Sequence, residues 1–223
     1  MIELFWVGGP FFMLPLLAGS VLVVTIAIER FRRFRRASVD YDWFLSEIRK
    51  AMLKDGPRAG IELADQFPGP IAAAWSAGLG AHRLPLPVLR ERMDSVSIAE
   101  VQRLEKFLPI VGVIAQVAPL IGILGTVWGM ISSFEGVAGG LASGIGIDGE
   151  LLASGIGQAL VTTAFGLAVA IPATLLHHWF IHRVDTFIAD LDRSRSDLIE
   201  ILSSIAPRKK KVPSTPKIEE TTA

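Results

Sequence analysis

Three stretches of the chain carry no Asp, Glu, Lys or Arg: Leu4 to Ile28, Phe107 to Phe134 and Leu151 to Ile181. Each exceeds the roughly 20 residues that a helix needs to cross about 30 Å of hydrocarbon. A soluble fold of 223 residues has little use for three such runs. The expected fold is therefore an all-α integral membrane protein with three transmembrane helices.

The formal net charge of zero hides a strong asymmetry. All 22 Lys and Arg residues lie within 30–106 or 183–223. Basic residues near membrane spans mark the cytoplasmic side, which predicts the N-terminus outside, the C-terminus inside and a multi-pass topology. Arg30, Arg32, Arg33, Arg35 and Arg36 follow the first span directly, whereas 135–150 carries only Glu135, Asp148 and Glu150. A cleaved signal peptide has a basic start; here the start holds Glu3 and the arginines come after the apolar run, so the first span reads as retained. With no cysteine, disulfides, thiolate metal sites and cysteine nucleophiles are excluded.

The chain divides accordingly. Residues 1–9 hold Phe5 and Trp6 ahead of Pro10 and suggest a periplasmic interfacial segment. Spans are expected over 10–29, 107–134 and 151–181, with a periplasmic loop over 135–150. A cytoplasmic helical region occupies 30–106, with helical apolar spacing at Phe44, Ile48 and Met52 and Pro-rich breaks at Phe67–Pro70 and Leu84–Pro87. The spacing Leu89, Met93, Val96, Val101, Leu104, Leu108 predicts a helix that runs into the second span with no breaker before Pro109 and projects well below the membrane. Beyond the third span, Val184, Phe187, Leu191, Leu198, Ile201 and Ile205 predict an amphipathic extension over 182–206. The two long cytoplasmic extensions are expected to cover each other. The tail 207–223, opening with Arg208, Lys209, Lys210 and Lys211, reads as disordered and able to touch membrane lipids.

Within the spans, small residues recur on one face. Gly112, Ala115, Pro119, Gly122, Thr126, Gly129 and Ser133 step by three or four along the second. Gly155, Ala159, Thr162, Thr163, Gly166, Ala170, Ala173 and Thr174 fill an arc of roughly 120° on the third. Such residues allow close helix packing in lipid, which marks Gly122, Gly129, Ala159, Gly166 and Ala170 as packing positions. The hydroxyls of Thr126 and Thr163 admit two readings: bonds to their own backbone carbonyls, or a ring of groups lining a polar interior between subunits. Ile156, Leu160 and Leu167 are expected to face lipid or neighbouring subunits.

No titratable carboxylate or cation lies inside any run, and proton relays normally need one. A proton path here would take its carboxylate from a partner or run through hydroxyls and water. Gln158 and Gln116 are the most polar side chains inside the third and second spans, with helix–helix hydrogen bonding as the plain reading. His177 and His178, beside Trp179, suit the headgroup level, against a proton-exit role. No phosphate-binding loop, metal-ligand cluster or nucleophile triad stands out, so no cofactor, no metal, no nucleic-acid partner and no enzymatic activity are expected.

The stretch Ala118-Pro119-Leu120-Ile121-Gly122-Ile123-Leu124-Gly125-Thr126-Val127-Trp128-Gly129-Met130, with Phe134 after it, closely resembles the second-span motif of the ExbB/TolQ/MotA proton-channel family. Gly155 through Ala173 resembles its third span, and Ile2 through Pro10 resembles a short ExbB-type N-terminus. The resemblance implies a pentamer in the bacterial inner membrane around a dimer of a single-span ExbD/TolR-type partner whose membrane helix supplies an Asp. It further implies that the proton motive force energises TonB-dependent transport, or envelope maintenance in the TolQ-like case. Thr126 and Thr163 match the family's pore-facing threonines, with Thr162 and Gln158 beside them as candidate proton-path residues. Gln158 occupies a position that is commonly Glu and cannot relay a proton by ionising. MotA-like stators usually have four spans, so that branch fits least. From a different class, a non-conducting membrane scaffold would use the same small-residue faces for assembly alone, and an intramembrane enzyme lacks its catalytic set.

Overall fold

The computed structural model describes residues 8–142 and 149–205. The expectations for Phe5 and Trp6, for Asp148 and for the basic tail fall outside those residues. Seven helices make up the described part: α1 (Pro10–Ala37), α2 (Tyr41–Asp55), α3 (Pro57–Ala64), α4 (Pro70–Gly80), α5 (Leu86–Glu105), α6 (Leu108–Ala142) and α7 (Gly149–Ile205). No strand occurs among the described residues.

Three helical stretches, Pro10–Ala37, Leu86–Leu141 and Leu152–Ser204, are long and apolar enough to span a membrane. Their most apolar windows are only 28%, 33% and 28% buried within the protomer. So much exposed apolar surface requires lipid or other subunits around it. α7 has 57 residues, a rod of about 85 Å at 1.5 Å per residue, and it continues unbroken through Pro172. α6 likewise continues through Pro119 and runs on to Ala142.

Between α5 and α6 the helix is interrupted at Phe107, whose φ of 72° is rare for a side-chain-bearing residue. Pro109 explains the position. It has no N–H to give to the carbonyl four residues back, and its ring would clash there; that residue is Glu105, the last of α5. In the first turn of a new helix the missing donor costs nothing. Arg30 of α1, 1% exposed, completes the junction. Its Nη1 donates to the carbonyls of Arg103 (2.9 Å) and Leu104 (3.1 Å), two acceptors orphaned by the helix end. The guanidinium also lies 5.6 Å from the Phe107 ring centre and pairs with Glu29.

Along α1, Leu16 packs with Ala118 and Ala170, then Val23 and Ile26 with Val111, Ala115 and Ala173. Phe34 stacks between Phe180 and Phe187 at 5.5 and 5.9 Å, over Leu104 and Leu108. The first span therefore lies against both of the others.

Residues 38–105 fold into four helices that wrap the distal half of α7. Phe44, Ile48 and Met52 point inward as their spacing predicts, joining Trp75, Leu79, Leu89, Met93, Leu191, Leu198 and Ile201 in one apolar core. α5 and α7 share that core. Gly69 closes the turn between α3 and α4 with φ 117°, and a Cβ there would sit 2.6 Å from the Ala37 carbonyl oxygen, so only glycine fits. Tyr41 donates its hydroxyl to Asp197, tying the start of α2 to α7.

Candidate functional site

The candidate site is the seam between α6 and α7. Proceeding down α6, Ala118 meets Gly166, Gly122 meets Thr163, Gly125 meets Thr162 and Gly129 meets Ala159, an antiparallel sequence of contacts. The approach is close because the residues are small. A Cβ on Gly166 would lie 2.7 Å from the Ala118 carbonyl oxygen and 3.1 Å from the Gly122 Cα. One on Gly129 would lie 3.1 Å from both the Ala159 Cβ and the Gly155 carbonyl oxygen. Gly122, Gly129, Ala159 and Gly166 thus sit inside the seam of a single protomer. Ala170 is packed against Leu16 and Ala118, where α1 joins.

The four proton-path candidates separate. Thr163 is half-buried and donates its hydroxyl across the seam to the Gly122 carbonyl at 3.1 Å. Thr126, also half-buried, donates to the Ile123 carbonyl of its own helix at 2.6 Å. In an antiparallel pair, positions displaced in the same rotational sense from the contact line fall on the same flank. Thr126 is 40° past Gly122, and Thr163 is 40° past Ala159, at about 100° per residue; both threonines therefore lie on one flank. Ile156, Leu160 and Leu167 continue that flank and are 46%, 65% and 45% exposed.

Gln158 and Thr162 lie elsewhere. Gln158 precedes Thr163 by five residues, about 140° around the helix, and its Nε2 would lie 2.8 Å from a Cβ on Gly9. Thr162 is 1% exposed. Its hydroxyl has two acceptors, the Gln158 carbonyl at 2.8 Å and the Gly8 carbonyl at 3.2 Å. Thr162 and Gln158 thus lie beside the turn that starts α1, and Thr162 is closed off inside the protomer.

At the other end of the seam, His177 turns inward. Its Cε1 would lie 3.0 Å from a Cβ on Gly112, and its buried Nδ1 has no hydrogen-bond partner among the described residues. His178 and Trp179 are exposed, Gln116 is exposed on α6, and the paired histidine rings are 5.8 Å apart. No cluster of three metal-ligating side chains occurs among the described residues.

Sequence reasoning counted Arg30 only as one of a basic group. The signal for its separate role was the position of Pro109, which obliges α5 to end at Glu105 and leaves carbonyls in need of a donor.

Residues 70–193 match the model of the MotA/TolQ/ExbB proton channel family. Over 192 residues the chain is 28% identical to a putative biopolymer transport protein ExbB homolog of Methanothermobacter thermautotrophicus, covering 86% of this chain and 66% of that protein. Over 169 residues it is 30% identical to a putative biopolymer transport protein, ExbB-like 3, of Synechocystis, covering 76% of this chain and 79% of that protein.

Proposed function

Because this chain belongs to the MotA/TolQ/ExbB proton channel family, we propose that it is the ring-forming subunit of an ExbB–ExbD-type motor in the bacterial inner membrane. In this reading the chain lies N-out and C-in, assembles as a pentamer and encloses a single-span partner. The partner's membrane Asp carries the proton, since the runs Leu4 to Ile28, Phe107 to Phe134 and Leu151 to Ile181 contain no Asp, Glu, Lys or Arg. Thr126 and Thr163 line the central space, and the proton motive force is passed to a TonB-like protein that energises transport across the outer membrane. A TolQ-like subunit for envelope maintenance is the same machine with a different load.

The observation that carries the reading is the shared flank of Thr126 and Thr163. Two hydroxyls held at an edge of the α6–α7 pair can accept from a protonated carboxyl group approaching from outside the protomer. Because each already bonds a backbone carbonyl, its lone pairs remain open to a partner. Those same bonds favour the second reading, a non-conducting scaffold in which the threonines serve packing alone.

Proton flux into liposomes holding this protein and its single-span partner tests the choice. Flux that requires the partner's Asp and falls with Thr163→Val supports the motor. Absence of partner-dependent flux under an imposed gradient rejects it in favour of the scaffold.

A further inference from the structure

A groove of about 430 Å³ opens between the end of α1 and the middle of α7. Its floor is Phe34, and the aromatic pair Phe31 and Trp179 stacks at its rim with centres 5.9 Å apart. Both rim residues are exposed, at 52% and 46%. Arg35, His182, Arg183 and Ser38 line the remainder, and no carboxylate is among the lining residues. Arg183 is held in place by donating from Nη2 to the Ser38 Oγ at 3.0 Å, with its Cζ 5.5 Å from the Phe187 ring centre. Neither Arg35 nor Arg183 has an acidic partner among the described residues.

From this arrangement we infer that the groove binds the headgroup of an anionic phospholipid. The phosphate is placed between Arg35 and Arg183, and the acyl chains leave along Phe31 and Trp179. Arginine forks match phosphate oxygens in pairs, while Trp settles at the boundary between hydrocarbon and headgroups. Basic pockets between membrane helices at such a boundary suit anionic lipids. A free phosphate ion has no use for an exposed aromatic rim, so the occupant is a lipid. The other exposed basic stretch of α1, Arg32, Arg33 and Arg36, shares its groove with Glu29, which sits 3.8 Å from Arg33. Partial neutralisation makes it the weaker site. The inference rests only on α1 and α7 crossing a bilayer and is independent of proton conduction.

The full-length protein is reconstituted in phosphatidylcholine bilayers containing brominated phosphatidylglycerol. The quenching of Trp179 is read as the difference between the protein and its Trp179→Phe variant. Preference for phosphatidylglycerol over brominated phosphatidylcholine is expected to fall about fivefold in Arg35→Gln and further in Arg35→Gln/Arg183→Gln. Excess inorganic phosphate is expected to leave the quenching unchanged. Arg35 has no partner whose loss would loosen the fold, so its single variant decides the matter should Arg183→Gln misfold. Equal preference in the protein and Arg35→Gln overturns the inference, and displacement by inorganic phosphate overturns the lipid as its occupant.

Discussion

Thr163 donates its hydroxyl to the Gly122 carbonyl at 3.1 Å, joining the two helices that hold the candidate site while remaining at their open flank. Cross-helix hydrogen bonds in membranes contribute about 0.6 kcal/mol on average. Thr163→Val is therefore expected to leave thermal stability in detergent nearly unchanged, yet to lower partner-dependent proton flux by about tenfold, equivalent to ~1.4 kcal/mol of barrier. Thr163→Ser restores the hydroxyl and is expected to restore flux. Flux loss that merely tracks unfolding would reduce Thr163 to a packing residue.

Gly166 marks the tightest backbone approach in the seam, and the atoms facing it cannot rotate away. Gly166→Ala puts a methyl 2.7 Å from the Ala118 carbonyl oxygen and is expected to destabilise the protein by about 1–3 kcal/mol through overpacking. Gly157, on the same helix, has nothing within 4 Å of an added Cβ. Gly157→Ala is expected to be neutral or slightly stabilising. Thermal unfolding of the two variants in the same detergent compares them directly; equal shifts would show that helix propensity, not the seam, governs both.

Arg30 ties α1 to the junction where α5 gives way to α6. Arg30→Met leaves the carbonyls of Arg103 and Leu104 without their donor in a buried place, with an expected loss of about 1–3 kcal/mol. Arg30→Lys is expected to rescue little, because an ammonium lacks the planar fork that reaches these acceptors and Glu29 together. Tryptic cleavage after Lys106 should accelerate in both variants. An unchanged cleavage rate in Arg30→Met would show that the junction holds without the cap.

Tyr41 should mark the upper pH limit of α2 docking. Burial first, then its hydrogen bond to Asp197, raises the phenol above its ordinary range. The folded state favours the neutral phenol, so this contribution is complete below the unfolded value near pH 10 and is lost as pH rises through the folded one. Tyr41→Phe is expected to lose about 1 kcal/mol near neutrality, discounted for its partial exposure. Part of the loss of stability above pH 10 should disappear with it. Parallel alkaline unfolding curves for the two proteins would exclude Tyr41 as the titrating group.

The local pattern determined what is local. Helical spacing at Phe44, Ile48 and Met52, and at Val184, Phe187, Leu191, Leu198 and Ile201, marks the faces that the structure buries. The small residues at three and four intervals mark the α6–α7 seam, and the uncharged runs mark the three membrane helices. These features are legible because burial and close packing repeat with the period of the helix itself. Tertiary structure decided which neighbour lies at each angle. It set Thr163 beside Gly122 at an open edge, and it closed Thr162 and Gln158 against the Gly8–Gly9 turn. It also carried Arg30 to carbonyls 73 and 74 residues away and joined Tyr41 to Asp197 across 156. A helical period gives the direction of a side chain on its own helix; only the packing of several helices supplies what stands in that direction.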